Sequence, residues 1–65
     1  MQELKLSLKA ARVNADMTAE EAAKSIGVTT RTLTNWENGK TYPSTTQIEK
    51  IEKTYNVSIA NIRFS

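Results

Sequence analysis

Apolar residues recur along the chain at the spacing of one helix face. Leu4, Leu8 and Ala11 follow one another at i, i+4 and i+7, and side chains with that spacing share one side of an α-helix. The same period recurs in four later stretches, residues 19–26, 33–36, 48–55 and 59–62. We therefore expect an all-α fold, a compact five-helix bundle whose first helix spans residues 3–14.

Polar residues at the ends of these stretches predict where the helices begin and end. Thr18 with Glu21, and Ser44 with Gln47, have the spacing of a capping box, in which the two residues exchange side-chain and backbone hydrogen bonds. Ser58 is the corresponding cap for the last helix. The expected stops are three residues that tolerate a left-handed backbone: Gly27, Gly39 and Asn56.

The second and third helices are joined by very few residues. Only Val28 lies between Gly27, which ends the second helix, and Thr29, which we expect to cap the third. Two helices with so short a connection cross steeply, which is the geometry of a helix-turn-helix. The third helix, over about residues 29–38, is the second helix of this motif.

The third helix carries polar side chains whose chemistry suits the base edges of DNA. On a helical wheel Leu33 and Trp36 point inward. Arginine can bond guanine, and asparagine adenine, through two hydrogen bonds each, while threonine offers a hydroxyl and a methyl group for thymine. The alternative is a polar face that is merely solvated, since such faces are common. The outward residues are Thr30, Arg31, Thr34 and Asn35.

Composition excludes several classes of function. The chain has 65 residues, no cysteine and no histidine, so disulfides and the common zinc sites are not expected, and we expect one domain over residues 1–65. Its net charge of +2 permits phosphate binding without requiring it. A glycine-rich phosphate loop and paired carboxylates are also lacking, so we expect no enzyme, metal or cofactor. The polar start indicates no signal peptide or membrane span, and hence a cytoplasmic protein.

An ordered set of short motifs connects these features. Residues 26–29 read Ile-Gly-Val-Thr, residues 36–40 read Trp-Glu-Asn-Gly-Lys with Pro43 just beyond, and residues 55–59 read Tyr-Asn-Val-Ser-Ile. Together, over residues 8–62, they resemble the helix-turn-helix domain of phage repressors and Cro proteins, the XRE family. The resemblance implies a five-helix bundle, encoded by a bacterium or a phage, that binds double-stranded DNA as a transcriptional regulator with its recognition helix in the major groove.

The resemblance also implies roles for individual residues. Base-reading side chains are expected at Thr29, Thr30, Arg31 and Asn35, with Thr34 beside them. Phosphate contacts are expected at Thr18, Asn38 and Lys40. The alternatives for Tyr42 are a phosphate hydrogen bond and simple packing of the loop. Arg12 and Glu37 match a buried ion pair that ties the first helix to the end of the third.

Three residues depart from the usual pattern of the family. Family members often have a glutamine where Ala19 stands, and that glutamine both bonds phosphate and braces the third helix. One phosphate anchor is therefore missing here. A large aliphatic residue is usual at Ala22 and a small one at Glu52, which predicts a repacked core. The cations that could reach the Glu52 carboxylate are Lys5, Lys9 and Arg63.

A domain of this size makes few DNA contacts, which predicts a homodimer on a pseudo-palindromic operator with half-sites about 34 Å apart. The dimer candidates are Ile59, Ile62 and Phe64, and the alternative for these residues is closure of the core.

A second hypothesis for the function is a protein-binding module, an antirepressor or an antitoxin, which the modest charge and Ala19 favour. Met1 and the short tail after Phe64 favour a complete small protein over the head of a longer one.

Overall fold

The computed structural model describes residues 5–64. In chain order the elements are strand β1 (Leu6–Ser7), helices α1 (Leu8–Asn14), α2 (Ala19–Ile26), α3 (Thr30–Glu37) and α4 (Thr45–Tyr55), a 3₁₀ helix (Ile59–Asn61) and strand β2 (Ile62–Arg63). The strands form a two-stranded parallel sheet, in which Leu6 pairs with Ile62 and Ser7 with Arg63.

The fold is mostly helical, but the expectation of five α-helices is wrong, because the described residues form four. The fifth is a single 3₁₀ turn capped by Ser58, whose hydroxyl accepts the N–H of Ala60 at 3.3 Å. The chain then becomes extended: Ile62 is buried, Arg63 exposed and Phe64 half-buried. That alternation has the period of a strand, and pairing with β1 supplies the hydrogen-bond partners that a helix would otherwise provide.

The first helix begins later than its apolar spacing predicts. Ser7 is its N-cap, with a hydroxyl that accepts the N–H of Ala10 at 3.1 Å. The backbone before this cap is extended and pairs with β2, so Leu6 belongs to a strand. Residues 3 and 4 of the predicted helix, which include Leu4, lie outside the described residues.

The predicted caps of the later helices are confirmed. At the start of α2, the Thr18 hydroxyl accepts the N–H of Glu21 at 3.1 Å, and the Glu21 carboxylate accepts the N–H of Thr18 at 2.9 Å. Ser44 and Gln47 make the same reciprocal pair at the start of α4. Thr29 caps α3. These bonds satisfy backbone donors that the first helical turn leaves without partners.

Each of the four helices is followed by a residue with a left-handed backbone. In each case the next N–H donates back to a carbonyl five positions earlier, the longer bond of a Schellman motif. Met17 donates to Arg12 at 3.2 Å, Val28 to Ala23 at 2.9 Å, Lys40 to Asn35 at 2.9 Å and Val57 to Glu52 at 3.2 Å. The left-handed residues are Asp16, Gly27, Gly39 and Asn56.

One core lies between the helices, and α2 packs against both α3 and α4. The narrow stripe of Ala22 and Ala23 on α2 is fully buried, which allows its neighbours to approach closely. Ile26 of α2 is buried as well, and the remaining core residues come from the other three helices and from β2. The full set is Leu8, Ala11, Ala22, Ala23, Ile26, Leu33, Trp36, Ile51, Tyr55 and Ile62.

Glu52 has a different partner from the cations expected for it. Its carboxylate accepts the backbone N–H of Ile59 at 2.6 Å. The side chain thus holds the 3₁₀ turn against α4 and satisfies a donor at the start of that turn. No salt bridge joins Glu52 to Lys5, Lys9 or Arg63 within residues 5–64.

Candidate nucleic-acid interface

The turn between α2 and α3 is three residues long and has a defined conformation. Gly27 has a φ of 93°, in the region that favours glycine. Val28 is half-buried against the core, and Thr29 is extended and caps α3. The turn therefore fixes α3 relative to α2 and confirms the helix-turn-helix geometry expected from the sequence.

The two sides of α3 divide as the helical wheel predicts. Leu33 and Trp36 are 0% and 2% exposed, so the inner side is fixed in the core. The outer side is polar and faces solvent. On that side Asn35 is half-buried and the exposed residues are Thr30, Arg31 and Thr34.

Thr29 is a structural residue as well as an exposed one. Its hydroxyl accepts the N–H of Thr32 at 3.1 Å and lies 2.9 Å from the Thr32 hydroxyl. The cap therefore occupies part of the hydrogen-bonding capacity that the family resemblance assigns to base reading. Thr32 was not among the sequence-predicted site residues, although its place three positions after a cap was a signal for it.

The Arg12–Glu37 ion pair lies where the resemblance implies. The Arg12 Nε donates to Glu37 Oε2 at 2.8 Å, and Nη2 donates to Oε1 at 3.4 Å. Nη1 also donates to the Met17 carbonyl at 3.0 Å. The two side chains are 12% and 9% exposed. One guanidinium thus joins α1, the approach to α2 and the last residue of α3.

This environment affects the acid–base properties of two side chains. The hydrogen bond to Glu37 raises the pKa of Arg12, against the opposing effect of its partial burial. Tyr55 of α4 is 5% exposed, and its hydroxyl has no hydrogen-bond partner among the described residues. Burial, and then the charge of Glu37, raise the pKa of Tyr55 to about 12. Neither the spacing nor the family resemblance predicted that this phenol would lie near the ion pair.

The start of α2 combines an exposed hydroxyl with several carboxylates. Thr18 is exposed, and because its oxygen accepts the N–H of Glu21, its own proton remains available to donate. Asp16, Glu20 and Glu21 are all exposed nearby in the sequence. Their charges favour the helix N-terminus but repel an approaching phosphate.

The loop after α3, residues 38–43, presents the other three phosphate candidates. Asn38, Lys40 and Tyr42 are all exposed. The backbone N–H of Lys40 donates to the Asn35 carbonyl, so this part of the loop is fixed to the end of α3. The ring of Tyr42 is in edge contact with the ring of Phe64, with centroids 6.5 Å apart and planes at 68°.

The three dimer candidates differ in accessibility. Ile62 is 5% exposed and belongs to the core, which matches the alternative of core closure for this residue. Ile59 and Phe64 are half-buried and pack against the core. Of the three candidates, Ile59 and Phe64 therefore keep part of their apolar surface accessible.

A family model matches most of the chain and agrees with this geometry. Residues 8–62 match the model of a family described as Helix-turn-helix. The chain belongs to the XRE-type helix-turn-helix family. Members of that family are DNA-binding regulators and typically not enzymes. A search of the curated proteins and a search of the solved structures found no match to the chain.

In this helix-turn-helix protein the family match covers all four α-helices and ends at Ile62. Phe64, which contacts the loop after α3, lies beyond it. None of the helices within residues 5–64 is long and apolar enough to cross a membrane.

Proposed function

We propose that residues 1–65 act as one domain that binds double-stranded DNA sequence-specifically, with α3 in the major groove, and so regulates transcription. The observation that carries this proposal is the outer face of α3, which is exposed and polar while its inner face is immobilised by Leu33 and Trp36. A helix held in this way can present its side chains to base edges at a fixed distance. Such a regulator acts in the cytoplasm of a bacterium, encoded by the chromosome or by a phage.

The outer face supplies the chemistry for reading several bases. Arg31 is the candidate for a bidentate bond to guanine and Asn35 for one to adenine. Thr30 and Thr34 offer methyl groups to thymine and hydroxyls to neighbouring bases. Thr29, whose hydroxyl caps the helix, retains its methyl group for the same purpose.

Contacts to the DNA backbone come from both ends of the motif. Thr18 can donate its hydroxyl proton at the start of α2, and Asn38, Lys40 and Tyr42 surround the end of α3. Backbone contacts position the protein, and base contacts specify the sequence. Because the carboxylates near Thr18 repel phosphate, we expect the loop of residues 38–43 to supply the larger share of the phosphate binding.

We propose that two copies bind a pseudo-palindromic operator, with half-sites about 34 Å apart. The apolar surface left at Ile59 and Phe64 is the candidate contact between the copies. Analytical ultracentrifugation with and without operator DNA tests this. A complex with one copy per full operator at saturation would contradict it.

Selection of bound sequences from random duplexes at low salt tests the proposed function. We expect enrichment of a motif with two inverted halves, because each copy reads one half-site. A protein that binds no duplex, or binds all of them equally, would contradict sequence-specific DNA binding. That result would favour the alternative function, an antirepressor or antitoxin that uses the same fold to bind a protein.

A further inference from the structure

Tyr42 combines high exposure with a contact that restricts its side chain. It is 65% exposed, more than the other exposed large hydrophobic residues of the described chain, Val13 at 56% and Leu6 at 37%. Its ring nevertheless meets the edge of the Phe64 ring in a T-shaped arrangement, which is a favoured geometry for two aromatic rings. Phe64 itself is half-buried and packed on the core.

The backbone of Tyr42 is held from both sides. Before it, the N–H groups of Lys40 and Thr41 lie 2.9 and 3.5 Å from the Asn35 carbonyl at the end of α3. After it, Pro43 is buried and restricts the backbone of the residue that precedes it. The freedom that remains is rotation of the Tyr42 side chain, and the contact with Phe64 limits that rotation.

We propose that Phe64 is a positioning residue for DNA binding: it holds the Tyr42 ring in the orientation in which the hydroxyl donates a hydrogen bond to a DNA phosphate. This inference rests on the proposed function. A loop side chain that is already ordered loses less conformational entropy when it binds, so Phe64 increases affinity without touching DNA. The last described residue of the chain is thereby coupled to the loop that follows the recognition helix.

Two other roles for Phe64 make different predictions. If Phe64 only closes the core, or only joins two copies, its effect on DNA affinity does not depend on the Tyr42 hydroxyl. If it positions that hydroxyl, its effect disappears once the hydroxyl is removed. A double-mutant cycle separates these cases because it measures the dependence directly.

The experiment uses the full chain and a half-site duplex taken from the selected motif, on which one copy binds and contacts between copies play no part. The variants are Tyr42→Phe, Phe64→Leu and the double variant, with Val13→Ala as a control at an exposed apolar residue of α1 that has no role in the proposed binding. Phe64→Leu keeps an apolar side chain on the core but removes the ring edge. Thermal unfolding of each variant shows whether the fold is retained.

We expect Tyr42→Phe to weaken binding about tenfold, the loss of one hydrogen bond to a charged oxygen. Phe64→Leu should weaken binding by a smaller factor, about threefold, and should add nothing when residue 42 is already phenylalanine. The salt dependence of binding should not change in either variant, because neither removes a charge that displaces counterions. Val13→Ala should leave half-site affinity unchanged.

Three results would overturn the inference. One is that Phe64→Leu weakens DNA binding by the same factor whether residue 42 is tyrosine or phenylalanine. Another is normal half-site binding by Tyr42→Phe, in which case the proposed function stands and the role of Phe64 falls. The third is a parent protein that enriches no DNA motif, and then the proposed function falls as well. If Phe64→Leu unfolds, Phe64→Tyr replaces it, and the NMR shifts of the Tyr42 ring show whether the edge contact is retained.

Discussion

The Tyr55 hydroxyl is a buried polar atom without a hydrogen-bond partner in the described part of the chain. Burying such a group costs free energy that folding must offset elsewhere. Burial and the nearby Glu37 carboxylate raise its pKa to about 12, so the phenol keeps its proton at alkaline pH where an exposed tyrosine would lose it. Through Tyr55, the charge of Glu37 therefore influences how the stability of the protein changes at alkaline pH.

We expect the stability of the protein to fall between about pH 10 and about pH 12, in part because of Tyr55. The pKa of tyrosine is 10.0 when unperturbed and about 12 in the fold, so in this range the unfolded chain loses the phenolic proton before the folded one does. Stability then decreases by up to about 1.4 kcal/mol per pH unit. Tyr55→Phe should remove this component of the slope in urea unfolding series, whereas the exposed Tyr42→Phe should leave it. Identical slopes for all three proteins would contradict the assignment.

Arg31 and Lys40 should differ in how they contribute to DNA binding. Arg31→Ala should cost about 1–3 kcal/mol on the selected operator and little on random duplex, because a base contact is lost. Lys40→Ala should weaken both kinds of DNA alike and make binding less dependent on salt, because a phosphate contact is lost. Titrations of each variant with both duplexes at several salt concentrations measure this. Equal losses on both duplexes for Arg31→Ala would remove it from the base-reading set.

At the scale of elements, the helices could be predicted from the sequence because their signals are local. A cap such as Thr18 and its partner Glu21 lie within one turn, so the spacing alone predicts the bond. The two strands could not be predicted, since Leu6 and Ile62 are brought together only by the completed fold. The hydrogen bond from the Ile59 N–H to the Glu52 carboxylate could not be predicted either, because it forms only once the chain between them has turned back.

Gly27 sets the geometry of the turn between α2 and α3, and Gly27→Ala should destabilise the protein by about 1–2 kcal/mol. A methyl group there meets only the Lys50 ammonium at 3.8 Å, an ordinary contact, so the cost comes from the φ of 93°. Gly27→Asn should cost less, because asparagine tolerates this conformation better. Ser25→Ala, on the exposed side of α2, is the matched control and should change stability little. Guanidinium unfolding gives all four free energies, and a neutral Gly27→Ala would contradict the argument.

At the scale of the whole molecule, the Arg12 guanidinium joins α1 to Glu37 at the end of α3 and to Met17 in the loop before α2. The resemblance to the family predicted which two residues form the Arg12–Glu37 ion pair, while the base-reading roles of the α3 residues stay predictions. Helical periodicity predicted which face of α3 is exposed, because it shows which residues share the buried side of a helix. The contact of Tyr42 with Phe64 joins two side chains that are far apart in the sequence, and helical periodicity cannot predict such a pairing.

Removing one member of this pair should destabilise the fold more than removing both. Glu37→Leu leaves the guanidinium poorly solvated and without its partner, at a cost of about 3 kcal/mol, and Arg12→Met leaves the carboxylate in the same state. The double variant should recover most of that loss, because it leaves no uncompensated charge in the interior. Urea unfolding of the two single variants and the double variant measures the coupling. Additive losses would show that the two charges act independently.

The parallel pairing of β1 with β2 has a mechanical consequence. The chain enters β1 at one end of the pair and leaves β2 at the other, so a force that pulls the two ends of the domain apart drives the strands past each other. Both register pairs then carry the load together, whereas a hairpin opened from its end would lose them one at a time. When the domain is pulled from its two ends, the β1–β2 pair should therefore bear the force first. The helices should extend only after the hydrogen bonds between these two strands have broken.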